Sequence, residues 1–148
     1  MDFPVRVPFV ESLGIELIGL GDGEAELALT LTDRHGNSFG VAHGGVTMTL
    51  LDAAMAHAAR SVHRHRRDLG PGVVTIEMKT SFMRPGLGRL TARGRLLSRT
   101  ATLAFCEASL YAEDESLCAH ATGTFKYQRA LPTGARSLRT LQGTPGSD

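Results

Sequence analysis

From Gly44 to about His65 the chain contains no proline, and Val46, Leu50, Ala53, Ala54 and Ala58 put small apolar residues around most of the circumference of a helix. A helix that is apolar on nearly every side has to be surrounded, so the rest of the chain must supply its wrapping. Four segments after Gly72 suit that task. Val73 to Met83, Arg89 to Ser98, Ala101 to Ala112 and Leu117 to Tyr127 alternate with period two, separated by breaks at Pro85-Gly86, Arg99-Thr100 and Glu113 to Ser116. Upstream, Gly14 to Leu20 and Gly23 to Thr32 read as two further strands around the turn Gly21-Asp22-Gly23. In the second, Ala25, Leu27, Leu29 and Leu31 face one way and Glu24, Glu26, Thr30 and Thr32 the other. The short breaks predict an antiparallel meander. Strands of this kind can enclose one helix only if their sheet curls, so the expected class is α+β, a curved antiparallel sheet wrapped around one long central helix.

A length of 148 residues suits a single domain. We expect it to cover residues 1–128, with the stretch 129–148, rich in Gly, Pro, Ser and Thr, as a flexible tail. With 16 basic and 15 acidic residues, the net charge of +1 gives no overall field for nucleic acid or an anionic membrane. No apolar run is long enough to cross a bilayer, and Met1 to Pro8 lacks the apolar core of a secretory signal, so a cytoplasmic location is expected. Cys106 and Cys118 read as reduced thiols within strands. His63 and His65 are too close along a helix to share a metal, with no neighbouring acid or cysteine to complete a set, and no metal is expected. The basic run Arg60, His63, Arg64, His65, Arg66 and Arg67 before Gly70-Pro71-Gly72 suits the negative end of a helix dipole and reads as a solvated helix end.

The segment leading into the helix carries chemistry. In NSFGVAHGGVTMTLLD, Asn37 to Asp52, a polar turn ends in His43-Gly44-Gly45 and runs into a helix bearing the one carboxylate between Arg34 and Arg67. Free amides at a helix start attract negative charge, and glycine admits a ligand to within hydrogen-bonding distance of the backbone. An enzyme can hold a developing oxyanion there. Each residue also has a plainer reading: Asn37 as a turn former, His43 as a helix cap, Asp52 as a structural acid paired with an arginine, and Thr75 as a β-branched strand residue.

Asn37, the His43-Gly44-Gly45 triplet, Asp52 nine residues after the histidine, and V-V-T-I-E-M-K-T-S-F-M-R-P from Val73 follow one another in an order that resembles the hotdog-fold acyl-CoA thioesterases of the phenylacetate-pathway (PaaI-like) type. The similarity runs over roughly Leu13 to Tyr127. It implies a hotdog fold and hydrolysis of an acyl-CoA to the free acid and CoA, with water and no cofactor, coenzyme A being part of the substrate. It assigns Asn37 and His43 to binding or orienting the carbonyl, the Gly44 amide to its oxygen, and Asp52 to the role of base or nucleophile. Thr75 falls where some relatives carry a hydroxyl that bonds the attacking water. The resemblance also implies sites at a subunit interface and assembly as dimers of dimers.

Helix geometry points to a dimer if Gly44 and Asp52 act on one thioester. Gly44 and Asp52, eight residues apart on one helix, lie about 12 Å apart, while one carbonyl must sit about 3 Å from both. A shared site therefore needs Asp52 from a second copy, and an obligate symmetric homodimer is expected. Gly45, Val74, Arg84, Gly86, Arg99 and Thr100 are the substrate-binding candidates; the arginines stand at turns where a guanidinium can grip a CoA phosphate. The acyl group stays open between aromatic and medium-chain. Two alternatives stand beside this reading: an acyl group on a carrier protein, or a non-catalytic acyl-CoA-binding hotdog protein, which would have no need of Asp52. A DNA-binding role would need an added module absent from these residues.

Overall fold

The computed structural model describes residues 1–63 and 70–129. The expectations for Arg64 to Arg67 and for the tail beyond Arg129 lie outside the described residues. A short helix α1 (Pro8–Ser12) precedes strands β1 (Glu16–Gly21) and β2 (Glu24–Thr30). A single 3-10 turn (Asp33–His35) and a loop then lead into the long helix α2 (Gly44–Ser61). Strands β3 (Gly72–Phe82), β4 (Arg89–Arg99), β5 (Leu103–Tyr111) and β6 (Leu117–Gln128) complete one antiparallel sheet in the order β1-β2-β4-β5-β6-β3.

That order corrects the meander. β4, β5 and β6 are joined by hairpins, but β3 pairs with β6 at the far edge and β4 with β2. Pro85-Gly86 is therefore a crossing segment, not a hairpin turn. It passes the start of α2, where the Ala42 N–H donates to the Gly86 carbonyl at 2.9 Å. The buried helix is the physical reason: it occupies the concave face, and a strand on each flank covers more of it than two strands side by side.

α2 forms because its residues are mostly Ala, Leu and Met, strong helix formers, and because His43 caps it. It runs along the strands, with Gly44 beside Phe82 of β3, Asp52 beside Thr75 of β3, and Ala59 beside Tyr127 of β6. Lying lengthwise, it still touches all six strands. Six strands at about 4.8 Å would span far more than one helix width of about 10 Å if flat, so the sheet has to curl. Leu50, Leu51, Ala54 and Met55 are fully buried in one core with Leu17, Leu27, Leu29, Leu90, Leu110 and Phe125. Each such leucine contributes roughly 1.5–3 kcal/mol. Cys106 of β5 and Cys118 of β6 are buried free thiols.

The helix stops at Ser61, earlier than the sequence pattern suggests. The Ser61 hydroxyl donates to the Ala58 carbonyl and accepts the Gly23 N–H, both at 2.7 Å, tying the last turn to the β1–β2 hairpin. One stripe of α2 is left less covered: Gly45, Met48, Thr49, Asp52 and Ala56, at the spacing of a single helix face. It lies toward β3, one of the two edge strands of the sheet.

On the other side of α2, His57 is buried under Phe3, its ring centroid 5.2 Å from the phenyl centroid. Its Nδ1–H donates to the Ala53 carbonyl at 2.8 Å, while Nε2 is buried without a partner among the described residues. Burial, and secondarily the nearby Arg60 charge, hold the imidazole below the usual histidine range, against the opposing pull of the Ala53 bond. The unfolded chain therefore takes up a proton at this residue before the folded one does. Its stabilising contribution is complete above about pH 6.5 and is lost as the pH falls through and below that value. His57→Leu should melt with a smaller drop between pH 7.5 and pH 5 than the wild type does. Equal drops would show that His57 does not set the acid sensitivity.

Candidate active site

The loop before α2 is built from side chain to backbone bonds. His35 is buried; its Nδ1 accepts the Thr32 N–H at 2.9 Å, which leaves Nε2–H to donate to the Leu13 carbonyl at 2.7 Å. The His35 carbonyl in turn accepts the His43 N–H at 2.8 Å, and Gly36 bridges Ala42. His35 thus fixes both ends of the loop, a part that sequence reading missed because a histidine beside a glycine looks like turn chemistry. Within it, the Asn37 side-chain oxygen Oδ1 accepts the N–H groups of Phe39 (2.9 Å) and Val41 (3.3 Å). Its oxygen is spent on the turn, so what remains to offer a ligand is the NH2 group.

His43 is the N-cap, in extended backbone conformation (φ −60°, ψ 140°), and its Nδ1 accepts the Gly45 N–H at 2.8 Å. Nδ1 as acceptor leaves Nε2 carrying the proton, a donor on an exposed ring. The cap and the carbonyl-contact readings are therefore compatible, since they use opposite ring nitrogens. The Gly45 amide is engaged by this cap. The Gly44 amide has no acceptor among the described residues, as expected of the first position of a helix.

Gly44 opens on a groove of about 320 Å³ lined by Asn37, Val41, Ala42, Thr47, Phe82, Met83, Arg84, Pro85, Gly86, Cys118 and Ala119. Two of the sequence candidates for binding, Arg84 and Gly86, stand here. A larger hollow of about 510 Å³ lies around the β1–β2 hairpin. Both of its arginines are paired with acids of its lining, Arg93 with Glu26 at 3.4 Å and Arg95 with Glu107 at 2.6 Å, and it holds none of the candidate catalytic residues.

Asp52 is half-buried, and its Oδ1 accepts the Thr75 hydroxyl at 2.7 Å. Burial raises the carboxyl above the usual aspartate range, and the Thr75 bond lowers it part of the way back. Thr75 thus touches the acid itself. No ion pair to Asp52 is present among the described residues, so the structural-acid reading lacks its arginine. A desolvated carboxylate with one oxygen held and the other free is suited to taking a proton.

β3 positions two residues on the helix side through an irregularity absent from the sequence pattern. The β3–β6 register shifts between Thr75 and Glu77, so Ile76 is an extra, exposed residue, a β-bulge. Before the bulge the helix-facing residues are Val73 and Thr75; after it they are Met78, Thr80 and Phe82. Strict alternation from Thr75 would have turned Glu77, Lys79 and Ser81 inward instead. The bulge lets Thr75 meet Asp52 and Phe82 meet Gly44 on the same strand. Phe82, like His35, was missed, because an unbroken period-two reading points it to solvent.

The other binding candidates lie at the second level. Val74 is beside Thr75, pairing with Lys126. Through the register Thr75–Phe125–Ala104–Arg99, the β4–β5 turn with Arg99 and Thr100 lies at the Asp52 end of the sheet, at the opposite end of β4 from Gly86. The Thr100 hydroxyl accepts the N–H groups of Thr102 and Leu103 and serves the turn. The candidates fall into two groups, one around Gly44 and one around Asp52, which a single chain keeps apart.

Comparisons with known proteins bear on this arrangement. A model of the thioesterase superfamily matches residues 39–119, which include the capped helix start, Asp52 and Thr75. The medium/long-chain acyl-CoA thioesterase YigI of Salmonella typhimurium is 29% identical over 135 residues, covering 83% of this chain and 87% of the relative. The Saccharolobus solfataricus protein SSO1253, named provisionally as an esterase, is 30% identical over 118 residues, 79% of this chain and 75% of its own. A solved structure of the phenylacetic acid degradation protein PaaI from Thermus thermophilus, a point variant, superposes with a TM-score of 0.70 at 30% identity, covering 82% of this chain and 99% of that one. The curled six-stranded sheet around one long helix is the hotdog fold.

Proposed function

The chain belongs to the thioesterase superfamily, and on that premise we propose that it hydrolyses an acyl-CoA to the free acid and CoA, at a site completed by two copies of the chain. The observation that carries this reading is a pair of groups: a helix-start amide at Gly44 without an acceptor among the described residues, and a desolvated Asp52 carboxylate held by Thr75 but without a counter-charge among them. One supplies a donor for an oxyanion and the other a proton acceptor for water.

In the proposed reaction the thioester carbonyl lies at Gly44 of one subunit, with the Asn37 NH2 and His43 Nε2–H as further donors. Asp52 of the second subunit removes a proton from water as the oxygen adds to the carbonyl carbon. Thr75 holds the carboxylate by Oδ1 and leaves its other oxygen for the water. The tetrahedral oxyanion collapses, the C–S bond breaks, and the proton on Asp52 passes to the leaving sulfur. Water is the only co-reactant. The dimer rests on the separation of about 12 Å between Gly44 and Asp52 along one helix. The less-covered face of α2 that holds Asp52, beside the edge strand β3, supports it further.

The test is thiol release from aromatic, short-chain and medium-chain acyl-CoAs. Turnover of any of them supports the reading. No release from every ester by folded, dimeric protein would overturn it and turn attention to a carrier-protein substrate or to binding without catalysis.

A further inference from the structure

The groove beside Gly44 has a rigid floor and an exposed rim. Cys118 and Ala119 are buried at 2% and 1% exposure, whereas Phe82 and Met83 are about half exposed. The wall is apolar apart from Asn37, Thr47 and Arg84, and Asn37 and Arg84 are not buried. At roughly 30 Å³ for each water-sized group, about 320 Å³ has room for about ten such groups. The groove is larger than an acetyl group needs, and its mostly apolar wall suits an acyl chain of medium length.

Phe82 occupies a particular place on that wall. Its ring edge, Cε1 and Cζ, lies 3.6 Å from where a Cβ on Gly44 would stand. It therefore packs beside the Cα of Gly44, the residue whose amide is assigned above to the carbonyl oxygen. A side chain in that place restricts the acyl carbons next to the carbonyl, not the far end of the chain. The bulge at Ile76 turns Phe82 to this side, so its position is set by β3 and not by a mobile loop. We propose that Phe82 is a specificity-determining residue, and that the substrates are apolar, medium-length acyl thioesters unbranched beside the carbonyl. The proposal rests on the acyl-thioester reading of the Gly44 groove.

Two isomeric esters isolate shape from hydrophobicity, because octanoyl-CoA and 2-ethylhexanoyl-CoA carry the same number of carbons and differ only in branching at the α-carbon. The wild type should favour octanoyl-CoA in kcat/KM by at least roughly tenfold, and Phe82→Ala should reduce that preference by roughly tenfold, chiefly through gain on the branched ester. Inhibition by CoA alone should be unchanged, since the ring is assigned to the acyl side. An unaltered preference in an active Phe82→Ala enzyme would overturn the proposal while leaving the hydrolase reading in place. Loss of CoA inhibition with an unaltered preference would overturn it too, and would give the groove to the pantetheine arm. Should the wild type hydrolyse neither ester but release thiol from another acyl-CoA, the medium-length proposal is overturned and the hydrolase reading stands; should it release thiol from none, the hydrolase reading fails separately, and equilibrium binding of the two esters decides the role of Phe82. Relief of discrimination in Phe82→Ala supports it, and equal discrimination overturns it.

Discussion

Asp52→Asn is expected to lower acyl-CoA hydrolysis by roughly 10²- to 10⁴-fold, the range for loss of a positioned general base, without unfolding the protein. The substitution is nearly isosteric, and the new amide oxygen can still accept the Thr75 hydroxyl that Asp52 accepts at 2.7 Å. Stability should hold or rise at pH 7. Burial raises the Asp52 carboxyl, so its ionised form is disfavoured in the folded state. The sign follows: an acid raised on folding is neutral below its unfolded value and increasingly costs stability as the pH climbs through the folded one. A neutral amide removes that cost. Thermal melts at pH 7 beside thiol-release rates check both halves. Wild-type turnover in the variant would remove Asp52 from the mechanism, and a collapsed melting temperature would make it a structural acid.

Gly94→Ala is expected to be the most damaging single methyl group in the fold. A Cβ at Gly94 would collide with the Ala54 carbonyl oxygen and lie 2.5 Å from its carbon and 2.9 Å from the Met55 nitrogen, all backbone atoms of α2. Side chains can turn aside, but a helix backbone seated along its length in a curled sheet cannot. We expect a loss of about 3 kcal/mol or more, at the upper end of overpacking costs, and a fall in melting temperature of roughly 10 °C. Gly123→Ala meets only the flexible Met55 side chain and the edge of Phe125, at 3.0–3.2 Å, and Gly19→Ala meets Glu26 at an ordinary 3.9 Å. The order of damage should be Gly94, then Gly123, then Gly19. If Gly94→Ala melts with Gly19→Ala, then α2 does not sit tightly against β4.

Much of this architecture was legible in the sequence because the physics that fixes it is periodic. A proline-free, mostly apolar stretch from Gly44 onward marks a largely buried helix, and alternation in β2, β4, β5 and β6 marks strands with one covered face. What periodicity cannot carry is the order of strands. The six residues between Phe82 and Arg89 look like any short turn, and only the need to enclose α2 from both flanks sends β3 beyond β6. The same limit hid the site's geometry. Asp52, His43 and Gly44 stand out by chemical type and spacing. The pairing of Thr75 with Asp52 and the inward turn of Phe82 depend on one inserted residue, Ile76, which an alternating pattern absorbs without trace. His35 was hidden for another reason: beside its local bond to Thr32, its other ring nitrogen serves the backbone of Leu13, far away in the chain, and no local pattern reports such a bond.

The central claim is that one thioester is held by Gly44 of one subunit and attacked by water activated at Asp52 of another, and a mixed dimer tests it most directly. Gly44→Pro removes the free N–H at a position where proline suits a helix start, and the extended conformation of His43 is one that a residue before proline adopts. Each variant alone should be nearly inactive. Dimers purified with Asp52→Asn in one chain and Gly44→Pro in the other retain one site with both groups intact, so thiol release should recover to about half the wild-type rate per dimer. Mixed dimers as inactive as the two parent variants would contradict the shared site, and with it the mechanism built on it.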